Sequence, residues 1–200
     1  MKLHYNPASP YVRKVRVLAL ETGLMGDIEL ALVTLSPTGP DANVNSDNPI
    51  GKIPALVRHS GEPLYDSRVI CEYLDDLHGK TPMFPAKGEA RWTAIRRQAL
   101  ADGILDAAVG TRYETFLRPQ ALRWSDWVEG QMAKVGRALD VLEKEDLGDT
   151  VDIGTISVAC ALGYLDFRYA DEGWRDARPT LAAWYETFAA RPSMTETAPG

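Results

Sequence analysis

The chain has 200 residues, 45% hydrophobic and 25% charged. That is the ordinary balance of a globular chain holding one large domain or two small ones, and it excludes collagen-like, low-complexity and wholly disordered readings. Twenty-two Lys and Arg against 28 Asp and Glu leave a net charge of −6, which argues against a broad nucleic-acid surface, because phosphate binding needs a clustered positive face. A local basic pocket for a small anion stays open.

No apolar stretch approaches bilayer-spanning length, and residues 1–7 lack the apolar core of a secretion signal. Neither nucleic acid nor membrane is expected as a partner, and a cytoplasmic setting is. Cys71 and Cys160 lie far apart in helix-like patterns. They are expected as buried thiols rather than a disulfide framework or a zinc site.

In chain order, residues 2–5 predict a short strand. Ser9-Pro10 is a helix start, with Ser as cap and Pro at the first helical position. Val12, Val15, Leu18 and Ala19 follow on one face, and Gly23 is the stop. Residues 27–35 predict a second strand. A loop rich in Ser, Pro, Gly, Asp and Asn runs over 36–49, where a short helix could hide without a clear signal. The apolar end of 48–57 is strand-like, and its two prolines constrain the approach. After a turn at 59–62, residues 63–65 predict another short strand. Asp66 or Ser67 then caps a helix with Val69, Ile70, Tyr73, Leu74 and Leu77 on its apolar face, ended by Gly79.

Beyond residue 79 the pattern changes. Residues 80–88 read as a Pro-containing linker, and no convincing strand follows. Long helices are expected over 89–117 (ended by Pro119) and 124–145. A third is expected from Asp149 to about Tyr169, and a last one over 179–190. Residues 192–200 read as a loose tail. The organisation is an α/β domain over 1–79 and an all-helical domain over 89–200.

Four features in order give the chain its likeness to a known family. They are Ser9-Pro10-Tyr11-Val12-Arg13, Asn48-Pro49-Ile50-Gly51-Lys52-Ile53-Pro54-Ala55-Leu56, Asp66-Ser67 at a helix start, and Asp149-Thr150-Val151-Asp152-Ile153. With these the chain resembles a cytosolic glutathione transferase of the serine type, as found in bacteria, over nearly its whole length. The resemblance implies a thioredoxin-like first domain (βαβαββα), a helical bundle after it, and glutathione as co-substrate with no cofactor or metal. It also implies a homodimer.

The same resemblance makes Ser9 the catalytic hydroxyl. Glutathione reacts as its thiolate, and a thiol of pKa about 8.5 is only about 3% ionised at pH 7. Lowering that pKa by two units needs about 2.7 kcal/mol. One hydrogen bond to a charged group supplies roughly 1.5–3 kcal/mol, and a helix N-terminus about 0.3–1 kcal/mol. Ser9 would thus stabilise the nucleophile without being it; a plain helix cap is the alternative.

Pro54 is implied to be cis, turning the Ile53 N–H and C=O toward the cysteinyl backbone of glutathione. Lys52 would meet a substrate carboxylate, against the alternative of a solvated loop lysine. The helix start at Ser67 would receive the γ-glutamyl carboxylate and Asp66 its ammonium. An acceptor site between the domains would draw on Tyr11, Val109, Arg112, Tyr113 and Phe116, although residues at such helical spacing more often belong to a core. Asp102 would reach the glutathione of a second subunit, or else be a helix-surface carboxylate. Asp149 is expected to cap its helix, with Asp152 returning a bond. His4, His59 and His78 show no ligand spacing.

The leading activity is conjugation of glutathione to a small electrophile. A glutathione-dependent peroxidase or disulfide reductase is the alternative enzyme, weakened by the absence of Cys near Ser9. A binding protein that keeps the transferase fold without turnover is the third reading.

Overall fold

The computed structural model describes residues 1–199. Its contacts divide the chain into two compact units, residues 1–86 with the segment from Pro192, and Lys87–Arg191.

The first unit is built on a four-stranded sheet of order β2-β1-β3-β4, with strands β1 (Lys2–Tyr5), β2 (Glu29–Leu32), β3 (Ala55–Val57) and β4 (Pro63–Leu64). β1 pairs parallel to β2 and antiparallel to β3, and β3 pairs antiparallel to β4. Between them come α1 (Pro10–Thr22), α2 (Ala42–Asp47) and, after β4, α3 (Ser67–Asp75). This is the thioredoxin-like order that the resemblance implied.

α1 packs on α3, burying Val12, Val15, Leu18 and Ala19 against Ile70, Cys71 and Leu74 as apolar core. Ser9 caps α1, and Gly23 closes it at φ +83°, a left-handed turn that suits a residue without Cβ.

Several expected boundaries move. The second strand is shorter than 27–35, because Met25–Asp27 forms a 3₁₀ turn first. The loop over 36–49 does contain a helix, α2, whose N-terminus is satisfied by Asp41: its carboxylate accepts from the N–H groups of Asn43 and Val44. α3 ends at Asp75 rather than Gly79, so Leu77 lies beyond it; Leu77 and Val69, the latter inside the helix, are both exposed where an apolar face was expected. The Asp75 carboxylate accepts from the N–H groups of Met83 (2.6 Å) and Phe84 (2.9 Å), so the segment after α3 is anchored. Residues 192–199 are not a loose tail either, and Gly200 lies outside the described residues. α8 (Pro192–Glu196) packs on α1, with the buried Arg13 guanidinium donating to Met194 O at 3.0 Å.

The second unit is helical: α4 (Gly88–Arg112), α5 (Ser125–Glu143), α6 (Ile153–Arg168) and α7 (Pro179–Ala189). α6 is buried on every side from Ile153 to Leu165, as a helix apolar all round must be, and α4 packs along it. The expected helix over 89–117 is α4 followed by a wider π-helical turn, Tyr113–Leu117.

The third long helix starts later than Asp149. Its cap is Asp152, whose Oδ1 accepts from the Thr155 N–H (2.9 Å) while Thr155 Oγ1 accepts from the Asp152 N–H (3.0 Å). That reciprocal pair outcompetes Asp149, because only Asp152 has a partner three residues on. α7 has no capping side chain of its own; instead the Glu143 carboxylate from α5 accepts from the Thr180 and Leu181 N–H groups. No strand follows β4 among the described residues, and none of their helices is long and apolar enough to cross a membrane.

Candidate functional site

The sheet register gathers three of the segments singled out above. His4, near the C-terminal end of β1, stands opposite Ala55, the first residue of β3, and Leu64, the last of β4, stands opposite Leu56. The loop after β1, the approach to β3 and the exit from β4 therefore meet at one end of the sheet. These segments carry Ser9, Lys52-Ile53-Pro54 and Asp66-Ser67, the kind of place where α/β sheets offer ligands their loops and helix starts.

Ser9 is held from both sides. Its N–H donates to Asn6 O (3.0 Å) and its carbonyl accepts from the Arg13 N–H (3.0 Å). Asn6 is itself stapled, its Nδ2 donating to Val33 O and its Oδ1 accepting from the Ala8 N–H, both at 3.0 Å. Ser9 Oγ accepts from the Val12 N–H at 3.3 Å. That bond uses a lone pair and leaves the hydroxyl proton, which meets no acceptor among the described residues. Capping and donation are thus compatible in one side chain.

The peptide bonds Ile53–Pro54 and Tyr65–Asp66 are both cis. No hydrogen bond involves the Ile53 backbone among the described residues. The preceding loop is shaped from α2. Asn48, buried, donates from Nδ2 to Lys52 O (2.8 Å) and accepts at Oδ1 from the Ile50 N–H (3.2 Å). Gly51 turns at φ +62°, and a Cβ there would meet Asn45 Oδ1 at 2.8 Å. Lys52 is exposed.

At the start of α3, Asp66 is exposed and its Oδ1 accepts from the Arg68 N–H (2.9 Å). Ser67 is buried, and neither its N–H nor its hydroxyl has a partner among the described residues. The end of the sheet thus presents a hydroxyl, a lysine, one peptide's N–H and C=O, and a helix start. That set suits a peptide-like ligand bearing carboxylates.

The acceptor candidates fall in both units. Tyr11 is half-buried in α1. In the second unit, Val109 and Arg112 lie at the end of α4, with Tyr113 and Phe116 in the π-helical turn. Contrary to a core placement, Tyr113 is 41% and Phe116 67% exposed. The Arg112 guanidinium stacks 3.8 Å from the Phe116 ring centre. Partial burial still pushes the Tyr113 phenol above its ordinary pKa. Asp102 is buried in α4, not at the helix surface. His4 and His78 each pair with a carboxylate, Asp47 and Asp75. The His4–Asp47 pair, which adjoins the Asn48 that opens the second motif, is a contact that motif spacing did not single out. No group of three or more His, Cys, Asp or Glu able to hold a metal ion occurs among the described residues.

Residues 3–82 match the glutathione S-transferase N-terminal domain family, and residues 125–187 the C-terminal domain family. The chain is 37% identical to an uncharacterized GST-like protein, YibF, of Escherichia coli K12, spanning 100% of this chain and 98% of that protein. Among solved structures, it is similar to a glutathione transferase family member of Pseudomonas fluorescens Pf-5 with bound glutathione. The match has TM-score 0.98 and 53% identity over 100% of this chain and 98% of the other. A structure from the same source with bound S-(propanoic acid)-glutathione matches at TM-score 0.93 and 51% identity, over 100% and 99% of the two chains.

Proposed function

Because the chain belongs to the glutathione S-transferase family, we propose that its first unit binds glutathione and that the protein transfers the glutathione thiolate to a small electrophile. The observation that carries this reading is the Ser9 hydroxyl, fixed at a helix start with its proton unspent. Directed at the glutathione sulfur, it stabilises the thiolate in step with the positive end of α1. The thiol proton leaves to solvent. The sulfur lone pair then forms a C–S bond to the electrophilic carbon, and the displaced electrons leave on a departing group or are protonated at the far end of an activated double bond.

The Ile53 peptide pairs with the cysteinyl backbone, Lys52 meets a carboxylate, and Ser67 with Asp66 receives the γ-glutamyl end. Tyr11, Val109, Arg112, Tyr113 and Phe116 are the proposed acceptor contacts. The S-substituted glutathione bound by the Pseudomonas fluorescens relative favours conjugation over a peroxidase or disulfide-reductase role. A homodimer and a cytoplasmic setting belong to the same reading.

The test is a pH titration of the ultraviolet thiolate band of bound glutathione, in the wild-type protein and Ser9→Ala. The bound thiol should ionise well below its value in water, with most of that shift lost in the variant. An unshifted thiol in the wild-type complex would remove Ser9 from the chemistry and favour a carrier without turnover. A panel of electrophiles then establishes turnover.

A further inference from the structure

The loop offering Lys52 and Ile53 hangs from α2, and α2 has little of its own to hold it. The helix is six residues long and buries one of them, Val44. Its last residue, Asp47, is a carboxylate at the negative end of the peptide dipoles, where helix stability alone gives no reason for an acid. The reason lies across the sheet. Asp47 Oδ2 sits 2.6 Å from His4 Nε2, and His4 is 2% exposed near the C-terminal end of β1. An ionised carboxylate only accepts, so Nε2 carries the proton and donates. The next residue after Asp47 is Asn48, whose side chain grips both Ile50 and Lys52. A continuous polar path therefore runs from the central strand through Asp47 and Asn48 to the peptide before Pro54. Lys2 reaches the same Asp47 oxygen only at 3.4 Å and from a more exposed position.

We infer that His4 and Asp47 are positioning residues for glutathione: their hydrogen bond locks the end of α2 and with it the Asn48–Ile53 loop that receives the ligand. The inference rests on the glutathione-binding reading above, but the lock has a signature of its own. The His4 ring also keeps Nδ1 buried without a hydrogen-bond partner, so the strand accepts an unsatisfied nitrogen to place Nε2 against the helix end.

The test compares Asp47→Ala, Asp47→Asn and Lys2→Met. Hydrogen exchange at the Ile50 and Gly51 amides is read without ligand, and glutathione affinity by calorimetry. Asp47→Ala should speed exchange at those two amides and raise Kd roughly tenfold, the scale of one charge-assisted hydrogen bond. The pKa of the bound thiol, set at Ser9 on another loop, should stay as in the wild type. Asp47→Asn keeps an acceptor for Nε2–H and should restore most of the affinity, and Lys2→Met should leave both readouts unchanged.

Unchanged exchange and affinity in Asp47→Ala would overturn the proposal, as would Asp47→Asn failing like Ala, or a Lys2→Met loss equal to that of Asp47→Ala. A thiol pKa shifted along with Kd would also overturn it, by showing general damage to the unit. Faster exchange in Asp47→Ala beside a wild-type protein that binds no glutathione would uphold the lock and refute the function.

Discussion

Replacing Gly154 with alanine should destabilise the helical unit, although alanine is the better helix former. Gly154 lies in the first turn of α6, where the helix meets α4 backbone to backbone. A Cβ there would stand 2.7 Å from Ala94 O, 2.8 Å from Arg97 Cβ and 3.0 Å from Ala94 Cα. Two of those three atoms are backbone, so no rotamer change relieves the contact and α6 must move off α4. Overpacking of this kind costs about 1–3 kcal/mol, against which the helix-propensity gain offsets at most about 1 kcal/mol. A net loss of about 1–2 kcal/mol lowers the melting temperature of a chain this size by roughly 2–8 °C.

The matched control is Gly103→Ala in the middle of α4, where an added Cβ meets nothing within 4 Å. That substitution should stabilise by up to about 1 kcal/mol. Thermal melts and urea titrations of the two variants read the opposite signs directly. Gly154→Ala as stable as the wild type, or both substitutions moving stability the same way, would refute the claim that backbone contact sets the α4–α6 distance.

Asp152→Ala should cost about 1–2 kcal/mol by opening the reciprocal cap of α6, with glutathione affinity unchanged, whereas Asp149→Ala should be near neutral in the same urea titration. Acid should weaken the fold in a defined window. The Asp47 carboxyl is held low chiefly by its hydrogen bond from His4, Glu114 by the Trp124 N–H and Glu143 by the Leu181 N–H. At Glu145 burial pushes upward, but Arg96 and Arg97 outweigh it. Each group binds its proton more readily unfolded than folded. The stability they contribute is fully present above the ordinary glutamate value of about 4.5 and is lost as pH falls through the depressed folded values. Urea midpoints followed from pH 6 to pH 3 should fall most steeply below pH 4.5, and Glu145→Gln should flatten that fall.

Where local chemistry decides an element, the sequence shows it. Ser9-Pro10 and Gly23 bracket α1 because cap, first-turn proline and left-handed stop each act within a residue or two. The motifs that gather at one end of the sheet were legible for the same reason, since they are short and their donors are backbone groups and hydroxyls. Distance hides the rest. α2 has one buried residue and no periodic face, so nothing local announces it. Asp149 and Asp152 look alike as caps until Thr155 supplies the return bond. Val69 and Leu77 fit the apolar face of α3 by spacing, yet Val69 is half-exposed within the helix and Leu77 half-exposed beyond its end at Asp75. His4 and Asp47 are 43 residues apart, and only the folded sheet makes them one device.

The return of α8 to the first unit bears on the order in which this protein is made. A ribosome adds residues in sequence, and Pro192 follows Ala86 by 192 − 86 = 106 positions. At about 5–20 residues per second, the strands and helices of the first unit wait roughly 5–20 s for their final piece. During that interval the Arg13 guanidinium has neither Met194 O nor Thr197 Oγ1 to donate to, and Glu21 lacks the Ser193 hydroxyl. The nascent first unit then presents the α1 face that α8 later covers. A chain stopped before Pro192 would carry that face open, with the Arg13 guanidinium left without these two acceptors.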